Sequence, residues 1–262
     1  MGRKKILIED YTYASIIEEA VNRKKHSSCN SNSARDNNYD FTQTESFEEA
    51  VDFAINGWDL GLKQYAIEDV LLVGGSTELA PSLAGCLPHV QNHIMGFPQD
   101  MYQLYDNREY NLPTLDIVVN LTYAGSINGD DALDFSKSMV SFINKKASSN
   151  KIRLTGVFSS KQNNNTEAYQ FITLKDFDSA LVINNIAFAF HPSFFRRIWF
   201  SILEGKSYWS FGYGTTINNY EKVALNKLQG AKSDKTLIFK TLNDIPKSKM
   251  IWDESNIEDV LK

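Results

Sequence analysis

Cysteine is almost absent from this chain: two residues in 262, with only four histidines beside them. Cys29 lies in a polar tract and Cys86 follows Gly85 in a turn-like segment. They form no ligand motif and read as separate reduced thiols, as expected of a cytosolic protein. His89 and His93 stand four apart, but Pro88 and Gly96 interrupt that segment and no cysteine or acid completes a ligand set. No metal and no cofactor is expected on these grounds. Long apolar runs are missing too. Nothing reaches the ~18 residues that a bilayer-spanning helix needs, and Ile6-Leu7-Ile8 is too short for the core of a signal peptide. The expectation is a cytoplasmic protein with no membrane attachment. A basic excess is lacking as well. The 27 Lys and Arg face 32 Asp and Glu, a formal charge of −5, whereas a general nucleic-acid binder draws most of its affinity from neutralising phosphates. That balance disfavours nucleic-acid binding as a class, yet it leaves room for a local basic patch.

What is present is enough apolar residue, 42% of the chain, for one substantial core. The patterning predicts a single α/β domain over 1–262 with a three-layer, mostly parallel sheet and one or two antiparallel edge strands. The clearest unit is Leu115–Leu121, a β-branched run as in a buried strand, then a helix from about Asp131 to Ala147, then the strand Ile152–Phe158. A right-handed parallel crossover is the default for such a unit. Residues 69–73 read as another strand, and either 169–174 or 236–241 as an antiparallel edge. Ser46 and Glu49 have the spacing of a helix start, with Gly57 as the stop. Residues 26–40, HSSCNSNSARDNNYD, have almost nothing to bury and read as a flexible loop. Residues 76–113 are punctuated by proline and glycine too often for long elements. Asp176–Phe190 reads as a helix, and a second helix runs from Pro192 to Glu204, with proline at its first position.

Four places offer chemistry. The loop after the strand at 115–121 carries Asn120, Thr122, Ser126 and Asp130 at the carboxyl end of a strand, where open parallel sheets gather ligands; an ordinary polar loop with a helix cap is the plainer account. The second is His191-Pro192-Ser193-Phe194-Phe195-Arg196-Arg197-Ile198-Trp199. Helical spacing puts Phe194, Phe195, Ile198, Trp199 and Ile202 on a buried side and turns Arg196 and Arg197 away, where an arginine pair can clamp carboxylates or phosphates. His191 sits at the entrance, able to cap or to titrate near neutrality. The aromatic stretch after Gly205 adds Tyr208, Trp209 and Tyr213, side chains of the kind that carry interface energy. Gly74-Gly75-Ser76-Thr77 is the last. It lacks the Lys of a phosphate-binding loop and reads as a turn.

Two resemblances add to this. The order of Asn120, Thr122, Ala124 and the following helix resembles the strand–loop–helix of von Willebrand A-type domains. It departs from the Asp-x-Ser-x-Ser metal motif, because Asn120 replaces the acid, Thr122 the first serine and Ala124 the second. Without that carboxylate a hard cation loses its main charged ligand. Over roughly 41–215 the chain resembles an uncharacterised family of phage and mobile-element proteins. The matching stretches are Thr44–Ala50 through Asn56-Gly57-Trp58, Gly96-Phe97-Pro98 with Met101, the strand–helix–strand at 115–158, and Phe188–Phe200 with Glu204. That resemblance implies a viral or prophage origin and no particular activity.

The expected function is a phage-type, non-catalytic binding or assembly protein. It acts through a protein partner or self-assembly, using His191, Arg196, Arg197, Tyr208, Trp209 and Tyr213. Nucleic-acid binding in replication or packaging is the second reading. It needs Arg3, Lys4, Lys5, Arg23, Lys24, Lys25, Arg196 and Arg197 on one face. A hydrolase or phosphotransferase over the 122–130 loop is the third, and needs two carboxylates, or one with His191, meeting at a pocket.

Overall fold

The structure is a computed structural model. It describes residues 5–24, 31–58, 77–82, 87–88, 90–95, 101–106, 112–123, 125, 127–163, 166–209, 220–228 and 233–239. Contacts divide the chain into two units, Met1–Val70 with Pro113–Lys262, and Leu71–Leu112. The predicted strand at 69–73 and the glycines of 74–75 lie outside the described residues.

The larger unit is built on a five-stranded sheet. Its strands are β1 (Lys5–Thr12), β5 (Thr114–Asn120), β6 (Lys151–Asn163), β7 (Thr166–Lys175) and β8 (Lys235–Phe239), in the order β1-β7-β6-β5-β8. β5 runs parallel to both β6 and β8, and β1 parallel to β7. β6 and β7 pair antiparallel. The α/β class with a mostly parallel sheet is as the patterning predicts. The antiparallel strand, however, is interior. β1 covers the far side of β7, so among the described strands the edges are β1 and β8, each parallel to its neighbour.

Helices pack on both faces, which explains why β5 reads as a continuous apolar run. One face, Val118, Val157, Tyr169 and Phe171, is covered by Tyr220, Val223 and Ala224 of a late helix, α8 (Tyr220–Leu228). On the other face, the Phe158 ring stacks on Trp199 at 4.8 Å and on Phe194 at 6.1 Å. These belong to a π-helix, Phe194–Trp199, continued by α7 (Phe200–Leu203). Also present are α1 (Tyr13–Asn22), α2 (Tyr39–Thr42), α3 (Phe47–Asn56), α5 (Gly129–Ala147) and α6 (Ile183–Phe190).

The helix starts obey local chemistry. Ser46 Oγ accepts from Glu49 N at 3.0 Å, and Gly57 closes α3 at φ +87°, a conformation that strains any side chain. Asn128 caps α5 by accepting from Asp131 N at 2.7 Å; Asp130 and Asp131 lie in its first turn and Lys145 and Lys146 in its last, as the helix dipole favours. One expected helix is shorter than its pattern. Residues 176–182 form a turn, with the Asp176 amide bonded to Ser179 Oγ, and α6 begins only at Ile183.

The smaller unit holds β2 (Thr77–Ser82), β3 (Leu87–Pro88), α4 (Val90–Met95) and β4 (Met101–Asp106), with β4 between β2 and β3. Two of its prolines, read above as a bar to regular elements, sit in the flanking strands, Pro81 in β2 and Pro88 in β3; Pro98 lies outside the described residues. A flanking strand can leave a residue without its N–H outside the ladder.

Candidate functional site

Arg196 and Arg197 are neighbours with opposite fates. In an α-helix their positions fall on the face away from Phe194, Phe195 and Ile198. Residues 194–199 instead form a π-helix, a wider turn that redistributes side chains around the axis and recurs at functional sites. Nearly every residue from Ile186 to Glu204 is buried, so no solvent face is left for a charged stripe. Arg197 is 1% exposed, which corrects the expectation that it points outward. Its Nε donates to Thr44 Oγ1 at 2.9 Å and its Nη2 to Thr44 O at 2.9 Å. Its Nη1 reaches Asp36 O at 3.2 Å and Ala34 O at 3.3 Å. Burial, with Arg196 beside it, pulls its guanidinium below the ordinary arginine value. Arg197 is thus a clamp that fixes residues 34–44 against the π-helix.

That clamp shapes a pocket. Residues 34–44 include α2, and α2 docks on the first turn of α5 so closely that a Cβ on Gly129 would lie 2.4 Å from Asp40 O. Between them opens a pocket of about 490 Å³. Phe41, Tyr123, Phe195 and Phe200 give it aromatic walls, and Gly125, Ile127, Asn128 and Gly129 bring the loop and helix start after β5. Its charged residues are Arg196 and Asp40. Arg196 is half-buried, its guanidinium 4.5 Å above the Phe200 ring; Asp40 is exposed. The Tyr123 hydroxyl donates to Phe190 O at 3.1 Å, so Tyr123 offers the pocket its ring. Burial raises that hydroxyl above the ordinary tyrosine range.

The pocket sits where the patterning predicts a ligand, at the carboxyl end of a parallel strand, but mostly through other residues. Asn120 and Thr122 are buried and bonded among themselves. The Thr122 amide donates to Asn120 Oδ1 at 2.9 Å, and Ser159 N to Thr122 Oγ1 at 2.8 Å. They tie β5 to β6 and do not line the pocket. Asp130 is exposed on the first turn of α5, and Ser126 lies outside the described residues. Among the described residues no group of three or more His, Cys, Asp or Glu is placed to hold a metal.

His191 is also no site residue by position. It is 1% exposed, stacked on Phe188 and edge-on to Trp58 at 4.3 Å, with Nδ1 accepting from Ser193 N. Burial drives its pKa down to about 3, so it is a neutral core residue near neutrality and not the titrating group its sequence position allows. Trp209 is 7% exposed, which corrects its expected place on an open aromatic surface. Tyr208 is half-buried; its hydroxyl donates to Glu9 Oε2 at 2.9 Å and accepts from Gln170 Nε2 at 2.8 Å. Lys206 joins the same network, 3.1 Å from Glu9 and 2.8 Å from Glu19. Desolvation and Glu9 raise the Tyr208 pKa. This network braces β1 against α1 and the chain after α7. Tyr213 lies outside the described residues.

The pocket residues missed by the patterning are Asn38, Asp40, Phe41, Tyr123, Phe195 and Phe200. Asn38 and Asp40 fall in the stretch read as flexible, and Phe195 and Phe200 look like plain core. The signal that points to this place is the strand at 115–121 followed by a polar loop and a helix from about Asp131.

The described residues thus define an α/β protein with an arginine-bearing aromatic pocket at a strand's carboxyl end. The chain belongs to the family described as a domain of unknown function, DUF7192, whose match covers residues 8–262. No curated protein and no solved structure matches it significantly. No helix among the described residues is long and apolar enough to cross a membrane.

Proposed function

We propose that this chain is a non-catalytic binding protein that holds a segment of a protein partner in the pocket between α2 and α5. The phage or mobile-element resemblance of Phe188–Phe200 makes a host cytoplasm or a virion its place of action. The observation that carries the reading is Arg196, half-buried and lying over the Phe200 ring in a pocket walled by four aromatic residues. Arginine and aromatic rings in a partly desolvated pocket are what anchors an interface. The volume lies within the roughly 300–1,000 Å³ of ordinary binding pockets.

The other two readings lose support. A nucleic-acid face needs Arg23 and Arg197, but Arg23 is buried in an ion pair with Glu204 at 3.2 Å and Arg197 is spent on backbone carbonyls. A hydrolytic site needs His191 or a second carboxylate at the pocket. His191 lies behind Trp58 and Phe188, and Asp40 is the one acid among the described lining residues.

The test uses Gly125→Trp. Gly125 lines the pocket and a Cβ there meets nothing within 4 Å, so a bulky side chain can start there without a backbone clash and intrude on the pocket. Peptides selected from a random library on the unsubstituted protein should bind Gly125→Trp at least about tenfold more weakly, a loss of ~1.4 kcal/mol. Equal binding by both proteins, with the fold confirmed by circular dichroism, refutes the pocket as the docking site.

A further inference from the structure

We infer that an open groove between α1 and α3 docks a short helical segment of a partner protein, with aliphatic side chains along one face and lysine or arginine beside them. The groove is separate from the pocket between α2 and α5, and the inference does not depend on that pocket.

The groove has a volume of about 450 Å³. Its floor is Ile17 of α1 and Ala54 of α3, both buried. Val21, 45% exposed, and Ile55, 62% exposed, stand over that floor from the two helices. At the start of α1 the Tyr13 hydroxyl donates to Ala54 O at 3.1 Å, tying α1 to the last turn of α3. Two large aliphatic side chains left open around one concavity mark an interaction surface more than two scattered ones would.

Charge decides the occupant. Between them α1 and α3 carry Glu18, Glu19, Glu48, Glu49 and Asp52 and no lysine or arginine. Glu19 is spent on Lys206 at 2.8 Å, and Glu49 accepts from the Glu45 amide. Glu18, however, is exposed and lines the groove one turn before Val21. Asp52 is exposed one turn before Ile55, where it accepts from Asn56 Nδ2 at 2.6 Å and keeps its charge. α3 has no basic residue in its last turn, so the partial negative charge of its carbonyl end adds to the same sign. Such a surface repels nucleic acid, anionic lipid and a second copy presenting the same two helices, and it favours a cationic protein segment. Lys24, exposed three residues after Val21, directs the partner's cations to the other end of the groove, near Asp52 and the start of α1.

The walls decide the conformation. They are helices, whose backbone groups bond internally, so an extended strand finds no sheet edge to join; Tyr13 alone is too little aromatic surface to hold a polyproline segment. The remaining mode is a helix that lays side chains spaced three and four apart into the groove. α1 spans ten residues, about 15 Å at 1.5 Å per residue, so two to three turns of a partner helix, roughly ten residues, can run beside it.

The experiment sequences the peptides that a random library yields on the unsubstituted protein after counter-selection on Ile55→Arg. Peptides with aliphatic residues at helical spacing and a net positive charge should be enriched. For one enriched peptide, Ile55→Arg should weaken binding at least about tenfold, through lost apolar burial. Glu18→Lys should weaken it about two- to fivefold, and raising salt from about 50 to about 500 mM should weaken it further. Gly125→Trp, in the other pocket, should leave it unchanged. Enrichment of acidic or non-helical peptides overturns the inference, as does binding indifferent to both Glu18→Lys and salt. Failure to recover any peptide sensitive to Ile55→Arg overturns the groove as a docking surface, while peptides sensitive to Gly125→Trp would still stand, so the two readings fail separately. Self-association of the unsubstituted protein that Ile55→Arg abolishes, read by analytical ultracentrifugation, overturns the partner segment in favour of a second copy.

Discussion

Arg197→Met tests the clamp that forms one wall of the pocket. Methionine keeps much of the apolar volume and removes every donor. Two of the acceptors, Thr42 Oγ1 and Thr44 Oγ1, are hydroxyls that can turn; Thr44 Oγ1 already has Ser193 Oγ at 2.7 Å. Three are backbone carbonyls, of Ala34, Asp36 and Thr44, which cannot turn. A buried acceptor left unpaired costs about 1–3 kcal/mol. Asp36 O is only partly buried and water can serve it, so the sum falls near the low end, about 3–5 kcal/mol, comparable to losing one partner of a buried charged pair. For a domain of this size each kcal/mol moves Tm by about 2–4 °C, giving a fall of roughly 6–20 °C by thermal circular dichroism. Arg196→Met is the control. Its guanidinium is only half-buried and lies 4.5 Å above the Phe200 ring, so its loss should cost less than that of Arg197. If the two variants destabilise equally, or if Arg197→Met costs less than about 1 kcal/mol, the division of labour between the neighbours is wrong.

Three further outcomes follow from other residues. Gly129→Ala should push α2 off α5, because its Cβ meets the carbonyls of Asp40 and Phe41 at 2.4 and 3.0 Å; a loss of about 2 kcal/mol in urea unfolding, with weakened peptide binding, is expected, and wild-type behaviour would refute the close approach. His191 has a folded pKa of about 3, below the ordinary 6.5, so the unfolded chain binds the extra proton between those values. The stability it supports is present above about pH 6.5 and drains away as pH falls toward 3; His191→Phe should flatten the fall of urea stability between pH 6.5 and 4, and an unchanged slope would show that another group is responsible. Asp116 is 1% exposed and holds Arg153 across the β5–β6 register with contacts of 2.5 and 2.8 Å. Asp116→Ala should therefore destabilise by about 3 kcal/mol, and the double variant Asp116→Ala/Arg153→Met by less; a double variant that is worse would refute the pairing.

Much of the framework was legible because local chemistry and tertiary packing agree there. Ser46, Gly57 and the β5–α5–β6 unit each carry a cap, a stop or a run whose cause is local. The π-helix was not legible. Period counting assumes 3.6 residues per turn, and at 194–199 the assumption assigns Arg197 to water when it lies in the core. Trp209 and His191 failed for a related reason: an aromatic or a histidine in a polar-looking context reads the same whether it faces solvent or a neighbouring helix. The candidate pocket was half legible. The strand end and helix cap located it, but Asn38, Asp40 and Phe41 reach it only because a buried arginine holds their segment, a contact between residues more than 150 positions apart.

β1 pairs Lys5 with Thr166 and Thr12 with Thr173. At ordinary synthesis rates of about 5–20 residues per second, roughly ten to thirty seconds separate the emergence of this strand from that of its partner. During that interval its ladder has nothing to join, and Ile6 and Ile8, about half exposed even in the finished fold, stand open to any other extended chain. The nascent chain therefore carries a waiting period at β1, ended only when β6 and β7 have formed their hairpin. Chaperone dependence during translation, rather than marginal stability afterwards, is where that arrangement would be felt.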